Sequence, residues 1–490
     1  MLKNPVLYEI NTRVWIKRFG KDIKLSEIPD EYFKDLADKG INIVWMMGVW
    51  ETTPQIIEKC CLSPELVTAY NKSLNKWKRE DIIGSPYSIN DYQINPDLGS
   101  LTDLKLLRDQ LSKFQIKLFL DFIPNHFSAA SKLIDKKPEL FLSGDEELLN
   151  YDPVTFFKPG PDKDEIFAHG RDPFFPAWSD TIQLNYYNPE TRKFMINKLL
   201  NLTEICDGVR CDMSILQLNN IFTNTWSGVL NKLDYPKPKT EFWKEAIAKV
   251  KSQNPDFTFI AEAYWDLEFD LQQQGFDYTY DKRLTERLAS DDIFGAKTHL
   301  DADIIYQEKS VRFLENHDEK RAVSSFGKQK SLAAATIMST VPGMKFYYDG
   351  QFEGKRIKLP LQLGCEPEER KSHTVMNYYN QLLQVIQNDV FKYGVFNKLD
   401  PISAGGNNHS FEHFFCWQWT YKRELWIVIT NYSETTSQCR IKFDIFLDAN
   451  KIELFDHLAG ISYTRNVDEI KSQGLYVELK GYRSHIFSVK

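Results

Sequence analysis

A chain of 490 residues has room for one barrel-sized domain and a smaller second one. With 42% apolar and 26% charged residues it has a globular balance, which excludes a largely disordered polymer. Its 61 basic and 68 acidic side chains leave a formal charge of -7, without the basic stripe that a nucleic-acid binder needs.

The opening MLKNPVLYEINTRVW lacks a long apolar h-region and a small-residue cleavage site, which argues against a secretory signal. PVLYEI (5–10) is the first expected strand, and EYFKDLADKG (31–40) a helix stopped by Gly40. INIVWMM (41–47) is strand two. LTDLKLLRDQLSKF (101–114) has apolar residues at helical spacing, and FQIKLFLDFI (114–123) is strand three. Helix ETRKFMINKLLNLTEI (190–205) precedes strand four, DGVRCD (207–212), and helix EFWKEAIAKVKSQ (241–253) precedes strand five, FTFIAEAYW (257–265). FDYTYDK (276–282) is a weak sixth strand and SVRFLENHD (310–318) the seventh. Helix KQKSLAAATIMSTV (328–341) leads into GMKFYYDG (343–350), the eighth. Eight strands alternating with helices predict a (β/α)8 barrel over residues 1–388. Two insertions interrupt it, at 51–99 and at 127–185. The second is rich in Pro, Gly, Asp and aromatics, and a loop of that length suits a wall of the active-site cleft. Beyond 388 come short strand-like runs, among them HSFEHFFCWQWT, RELWIVITNYS and SQCRIKFDIF (437–446). With no helix-period segment between them, they predict an antiparallel β-sandwich over 389–490, packed directly on the barrel.

No run approaches about 18 apolar residues, so no membrane span is expected. The 7 cysteines, an odd number without a repeating frame, fit reduced thiols and point to the cytoplasm. No Cys/His spacing suggests zinc, and no Gly-rich turn suggests a dinucleotide. Tyr and Trp in polar surroundings, as in FPAWSD and EAYWDLE, suit a sugar ring as well as they suit core packing.

Three carboxylates end apolar runs or lie just past them: Asp212 in GVRCDMS, Glu262 in FTFIAEAYW and Asp318 in VRFLENHDE. Barrels carry their chemistry at strand C-terminal ends. A carboxylate is costly to dehydrate without a partner, and two are the minimum for glycoside cleavage. Arg210 stands two residues before Asp212. Along a strand that spacing puts both on one face, where the guanidinium favours the ionised carboxylate. The alternative is a structural Arg–Asp pair. The apolar FTFIA before Glu262 suggests surroundings that raise its pKa.

DFIPNH (121–126), GVRCD (208–212), Glu262 in FIAEAYW and ENHD (315–318), in this order and spacing, resemble the α-amylase family of glycoside hydrolases and transglycosidases. The resemblance covers nearly the whole chain and implies a retaining enzyme for α-glucosidic bonds. By that resemblance Asp212 is the nucleophile, Glu262 the acid/base, and Asp318 the carboxylate that grips sugar hydroxyls. His126 and His317 match the histidines that hydrogen-bond the sugar. Tyr87 matches the aromatic platform, with Tyr92 as its competitor, and Asp121 matches a structural aspartate. Trp265 is placed to wall the acceptor side.

Asn125 matches a calcium ligand of many members, yet the residues after Asp212 read DMSILQL where calcium-dependent members often carry Lys-His. No cofactor is therefore required, with calcium at Asn125 as the alternative. In YYDGQFEGKRIKLPLQLG, Lys355, Arg356 and Lys358 fall close to the mouth. They either pair with acids such as Asp349 and Glu353 or meet an anionic acceptor. The expected partner is a small carbohydrate, with no nucleic acid or membrane, and the oligomeric state stays open. Hydrolysis of short α-glucosides leads. Transfer to a sugar or to phosphate on the same site is the runner-up. A non-catalytic carbohydrate binder would be expected to lose one of the three carboxylates.

Overall fold

The computed structural model describes residues 3–233, 235–445 and 449–490. Eight parallel strands close into a barrel: β1 (Val6–Asn11), β2 (Ile43–Met47), β3 (Lys117–Phe122), β4 (Gly208–Cys211), β5 (Thr258–Ala261), β6 (Tyr278–Tyr280), β7 (Ser310–Arg312) and β8 (Met344–Tyr348). Each pairs with its sequence neighbours, and β8 pairs with β1. All eight expected strands form. The seventh is trimmed to Ser310–Arg312, because FLENHD leaves the sheet to carry its acid across the mouth.

Alternation along the strands sorts the side chains into two apolar layers. Leu7, Trp45, Phe119, Ile260, Tyr280 and Phe346 fill the barrel. Tyr8, Val44, Leu118, Leu120, Val209 and Phe259 face the surrounding helices. Two residues beyond Leu7, Phe119 and Ile260, on the same inward face, stand Glu9, Asp121 and Glu262. Period two therefore sets acids directly above an apolar plug. Gly208 makes room for that plug, since a Cβ there would lie 2.6 Å from the Phe119 ring and 2.7 Å from the Thr258 carbonyl.

The first insertion contains the antiparallel pair Trp50–Thr52 and Ile89–Ile94 and the helix Pro64–Ser73. In the second, His126–Ser128 pairs with Thr181–Gln183, and a three-stranded sheet forms from Ser143–Gly144, Ile166–Ala168 and Phe156–Phe157.

Behind the barrel, six antiparallel strands between Val395 and Val489 form one sheet, and Ser437–Ile441 with Leu475–Leu479 form a second. Cys416, Ile427, Leu454 and Phe487 of the first meet Cys439, Ile441, Val477 and Leu479 of the second, giving the expected sandwich core. Phe446, the last residue of the run 437–446, lies outside the described residues. A short helix, Val467–Gln473, interrupts the strands where none was expected, and buries Val467 and Ile470 in that core. The other face of the large sheet lies on helix Lys328–Thr340, where Trp419 Nε1 donates to the Thr340 carbonyl at 2.7 Å. That helix is buried almost throughout because it lies between barrel and sheet. All 7 cysteines are free, and among the described residues no helix is long and apolar enough to cross a membrane.

Candidate active site

Arg210 points inward from β4 and is 1% exposed. Its Nη1 donates to Asp212 Oδ1 at 2.7 Å, and its Nη2 meets Glu262 Oε2 at 2.8 Å. Asp121 Oδ1 stands 3.6 Å from Nη1, and Nε donates to the Tyr280 hydroxyl at 3.4 Å. The guanidinium also lies over the rings of Trp45 and Tyr87, at 5.1 and 5.4 Å. One cation thus serves three buried carboxyls. Burial pushes the Asp212 carboxyl up to about 7, against the pull of Arg210 and with the Glu262 charge adding to the rise. Burial likewise raises Asp121 to about 6, again against Arg210.

Glu262 sits just beyond β5, and its surroundings correct the apolar setting expected from FTFIA. Besides Arg210, the Tyr264 hydroxyl donates to Oε1 at 2.8 Å and the Met213 N–H to Oε2 at 2.6 Å. Met213 follows Asp212 in a left-handed conformation, φ 42°, and this kink aims its amide at Glu262. Such a conformation costs of order 1–3 kcal/mol and is held by its surroundings.

His317 is sandwiched between acids. Its Nδ1 hydrogen-bonds Glu9 Oε1, and its Nε2 lies 3.0 Å from Asp318 Oδ2 and 2.9 Å from the Tyr87 hydroxyl. Burial disfavours the imidazolium, but the charges of Asp318 and Glu9 outweigh it and hold His317 well above the ordinary histidine value. Desolvation also opposes ionised Asp318. The charge and hydrogen bond of His317, with help from Arg210 and Lys358, prevail and hold it well below the usual carboxylate range. Tyr87 stacks on His317 with ring centroids 5.4 Å apart, whereas Tyr92 donates to the Ile123 carbonyl and packs on Phe122 in the core.

His126 is 3% exposed, and burial lowers it to about 4, so it is neutral near pH 7. Its Nε2 has no partner, and its ring stands edge-on to Trp178, which lines the cleft. The neighbouring Asn125 is engaged by amides. Gln183 and Gln217 donate to its Oδ1 at 3.0 and 3.5 Å, and its Nδ2 donates to Gln183 Oε1 at 3.1 Å. Calcium takes six to eight oxygens, carboxylates among them. Here the Asn125 oxygen already faces two N–H donors, and among the described residues no cluster of three acidic, His or Cys ligands exists. The residues around Asn125 do not fit calcium.

A cleft of about 650 Å³ opens over Glu262 and Asp318, lined also by Trp178, Met213, Tyr264 and Trp265. Trp265 and Asp266 are both left-handed, at φ 62° and 61°. Asp266 is gripped by Arg283 through bonds of 2.8 and 2.6 Å, and Trp265 meets Phe174 of the second insertion edge-on at 4.8 Å. The insertion therefore reaches the cleft. In the loop after β8, Lys355 pairs with Glu366 rather than with Glu353 or Asp349, and Asp349 is taken by Arg18. Lys358 donates to the Asp318 carbonyl, and of the three expected basic residues Arg356 keeps an exposed side chain without a partner among the described residues.

All ten expected site residues except Asn125 gather around Arg210, His317 or the cleft. Sequence reasoning missed Glu9 and the Met213 amide, and reached Trp178 and Tyr264 only as aromatics of the runs FPAWSD and EAYWDLE, without a role. Glu9 had a signal, as an acid inside the otherwise apolar run PVLYEI.

No protein-family model matches the sequence. Alpha-amylase 3 of Dictyoglomus thermophilum is 22% identical over 447 residues, covering 78% of this chain and 77% of that protein. The cyclomaltodextrin glucanotransferase of Bacillus sp. strain 1011 is 23% identical over 395 residues, covering 79% of this chain but 50% of that enzyme. The solved structure of the maltogenic alpha-amylase AmyB from Thermotoga neapolitana shares the fold, with a TM-score of 0.69 at 20% identity over 99% of this chain and 98% of the other. These two enzymes thus align with more than three quarters of a chain that folds as a closed parallel barrel. In sequence the chain is similar to glycosidases and transglycosidases of the α-amylase type, and in fold to a solved alpha-amylase.

Proposed function

We propose that the chain is a retaining hydrolase of α-glucosidic bonds in short oligosaccharides. The observation that carries this reading is the single guanidinium that holds Asp212 and Glu262 together beneath an open cleft. In the first step an Asp212 oxygen bonds to the anomeric carbon, the glycosidic C–O bond breaks, and Glu262 gives its proton to the leaving oxygen. In the second, Glu262 takes a proton from water, the water oxygen bonds to the anomeric carbon, and Asp212 leaves. Asp318, ionised beside His317, accepts hydrogen bonds from sugar hydroxyls. The unpartnered Nε2 of His126 meets another hydroxyl, and Tyr87 supplies a ring face.

The pH dependence follows from Asp212. The nucleophile must be ionised, so kcat/KM is expected to rise as pH rises through about 7. Glu262 gives up a proton in the first step, which an activated leaving group does not need. With such a substrate E262Q is expected to keep the acid limb and to move it to lower pH, because the Glu262 charge adds to the rise of Asp212. An acid limb that disappears in E262Q assigns it to a group other than Asp212.

Transfer to a sugar acceptor is the second reading. It is favoured by the Phe174–Trp265 contact, an apolar wall beside Glu262, and by the likeness to a glucanotransferase. The Arg283–Asp266 pair is exposed, so R283A is expected to cost under about 1 kcal/mol of stability. It should raise KM for oligosaccharides several-fold at nearly constant kcat, by releasing Trp265. An unchanged KM would remove Trp265 from the acceptor wall. Product analysis on maltooligosaccharides, sucrose and trehalose, each with and without phosphate, separates the outcomes. Free glucose or maltose supports hydrolysis, longer oligosaccharides support transfer, and a phosphorylated sugar overturns both.

A further inference from the structure

A second cleft, of about 670 Å³, matches the catalytic one in size and shares none of its lining residues. It lies where helices Lys328–Thr340 and His373–Ile386, on the outside of the barrel, meet the large sheet of the sandwich. On the sandwich side it holds a fixed Asp–His pair. Asp456 is 1% exposed, and its Oδ1 accepts the N–H groups of Leu458 and Ile486 at 3.0 and 3.3 Å. Its Oδ2 accepts from His485 Nδ1 at 2.6 Å. With Nδ1 engaged and the ring stacked on Phe487, the imidazole is locked in orientation, and its Nε2 has no partner among the described residues. A buried carboxylate here accepts three hydrogen bonds, one of which orients a ring that is 17% exposed at the cleft.

The remaining lining has a consistent chemistry. Three tyrosines, Tyr378, Tyr463 and Tyr482, are each half-buried. From the helices, Gln329, Asn377 and Gln381 present side-chain amides that are exposed and have no partner among the described residues. The charged groups balance, Lys480 and Arg483 against Glu478 and Asp456. A phosphate or carboxylate ligand would want a surplus of cations, and a cation a surplus of acids. Amides, hydroxyls and a fixed imidazole beside aromatic faces suit a neutral ligand with many hydroxyls.

We infer that this cleft is a second carbohydrate-binding site, which holds part of a longer α-glucan while the barrel mouth works elsewhere on it. The inference rests on the proposed function only for the choice of sugar. The test uses D212N, in which turnover is silenced, titrated calorimetrically with maltoheptaose. Two sugars per chain are expected. Adding N377A/Q381A, two exposed helix positions, should reduce this to one and leave the remaining affinity unchanged. In the otherwise wild-type enzyme the same pair should leave the rate on maltotriose unchanged and lower the rate on long amylose several-fold. A stoichiometry of one that N377A/Q381A does not alter, in an enzyme that cleaves maltoheptaose, overturns the second site alone. No binding together with no cleavage by the wild type overturns both this site and the proposed function.

Discussion

D212N is expected to lower kcat by roughly 10⁴-fold or more, the scale seen when a nucleophile is removed from a site whose remaining groups stay in place. The same substitution is expected to raise the melting temperature at pH 8. The sign follows from linkage. Burial holds the folded-state Asp212 carboxyl at about 7, above the value of about 3.9 for an unconstrained aspartate. From pH 4 upward the unfolded chain gives up this proton more readily than the folded one, so stability falls until the folded group ionises near pH 7. Asparagine removes that loss, although it keeps only part of the interaction with Arg210. Activity within tenfold of wild type would exclude Asp212 as nucleophile. A lower melting temperature at pH 8 would show that the pairing with Arg210 outweighs the desolvation.

R210M is expected to be the most destabilising single change at the mouth. It keeps an unbranched side chain beneath Trp45 and Tyr87 but leaves Asp121, Asp212 and Glu262 facing one another without a cation. Breaking a buried ion pair by removing one partner costs about 3–5 kcal/mol. The loss should be largest at pH 8 and smaller at pH 5, where Asp121 and Asp212, already raised with Arg210 present, are neutral. Urea unfolding at the two pH values measures it. Equal losses at both would mean that packing, not charge, is the main contribution of Arg210.

Most of the barrel was legible because its strands are short apolar runs bounded by turn residues, and eight of them alternating with helices leave few other folds. The carboxylates were legible for a related reason: acids at the ends of such runs must face either water or each other. What escaped depends on contacts distant in sequence. FTFIA describes what precedes Glu262, whereas its surroundings come from Met213, 49 residues earlier, and from the guanidinium of β4. The amides that occupy Asn125 come from Gln183 and Gln217, 58 and 92 residues away. The left-handed turn at Trp265–Asp266 has no glycine to announce it, and Arg283, which holds it, lies on helix Lys282–Ala289, beyond β6. Glu9 was hidden by the strength of its own strand, since a run as apolar as PVLYEI reads as core and its one acid as an edge residue. The expectation of an all-β segment after residue 388 failed at Asp389–Tyr393 and at Val467–Gln473, helices too short to show a period.

Arg210 also constrains how this protein can change over evolutionary time. Its guanidinium touches groups carried by or just beyond five of the eight strands: Trp45 on β2, Asp121 on β3, Asp212 after β4, Glu262 after β5 and Tyr280 on β6. A descendant that abandoned catalysis could lose the Asp212 charge first, since its burial is costly, but each further loss among Asp121 and Glu262 would leave this cation less neutralised in the middle of the barrel. The accessible order of substitutions is therefore narrow. After Asp212, Arg210 must be replaced next, or together with another acid, for the fold to outlast the activity.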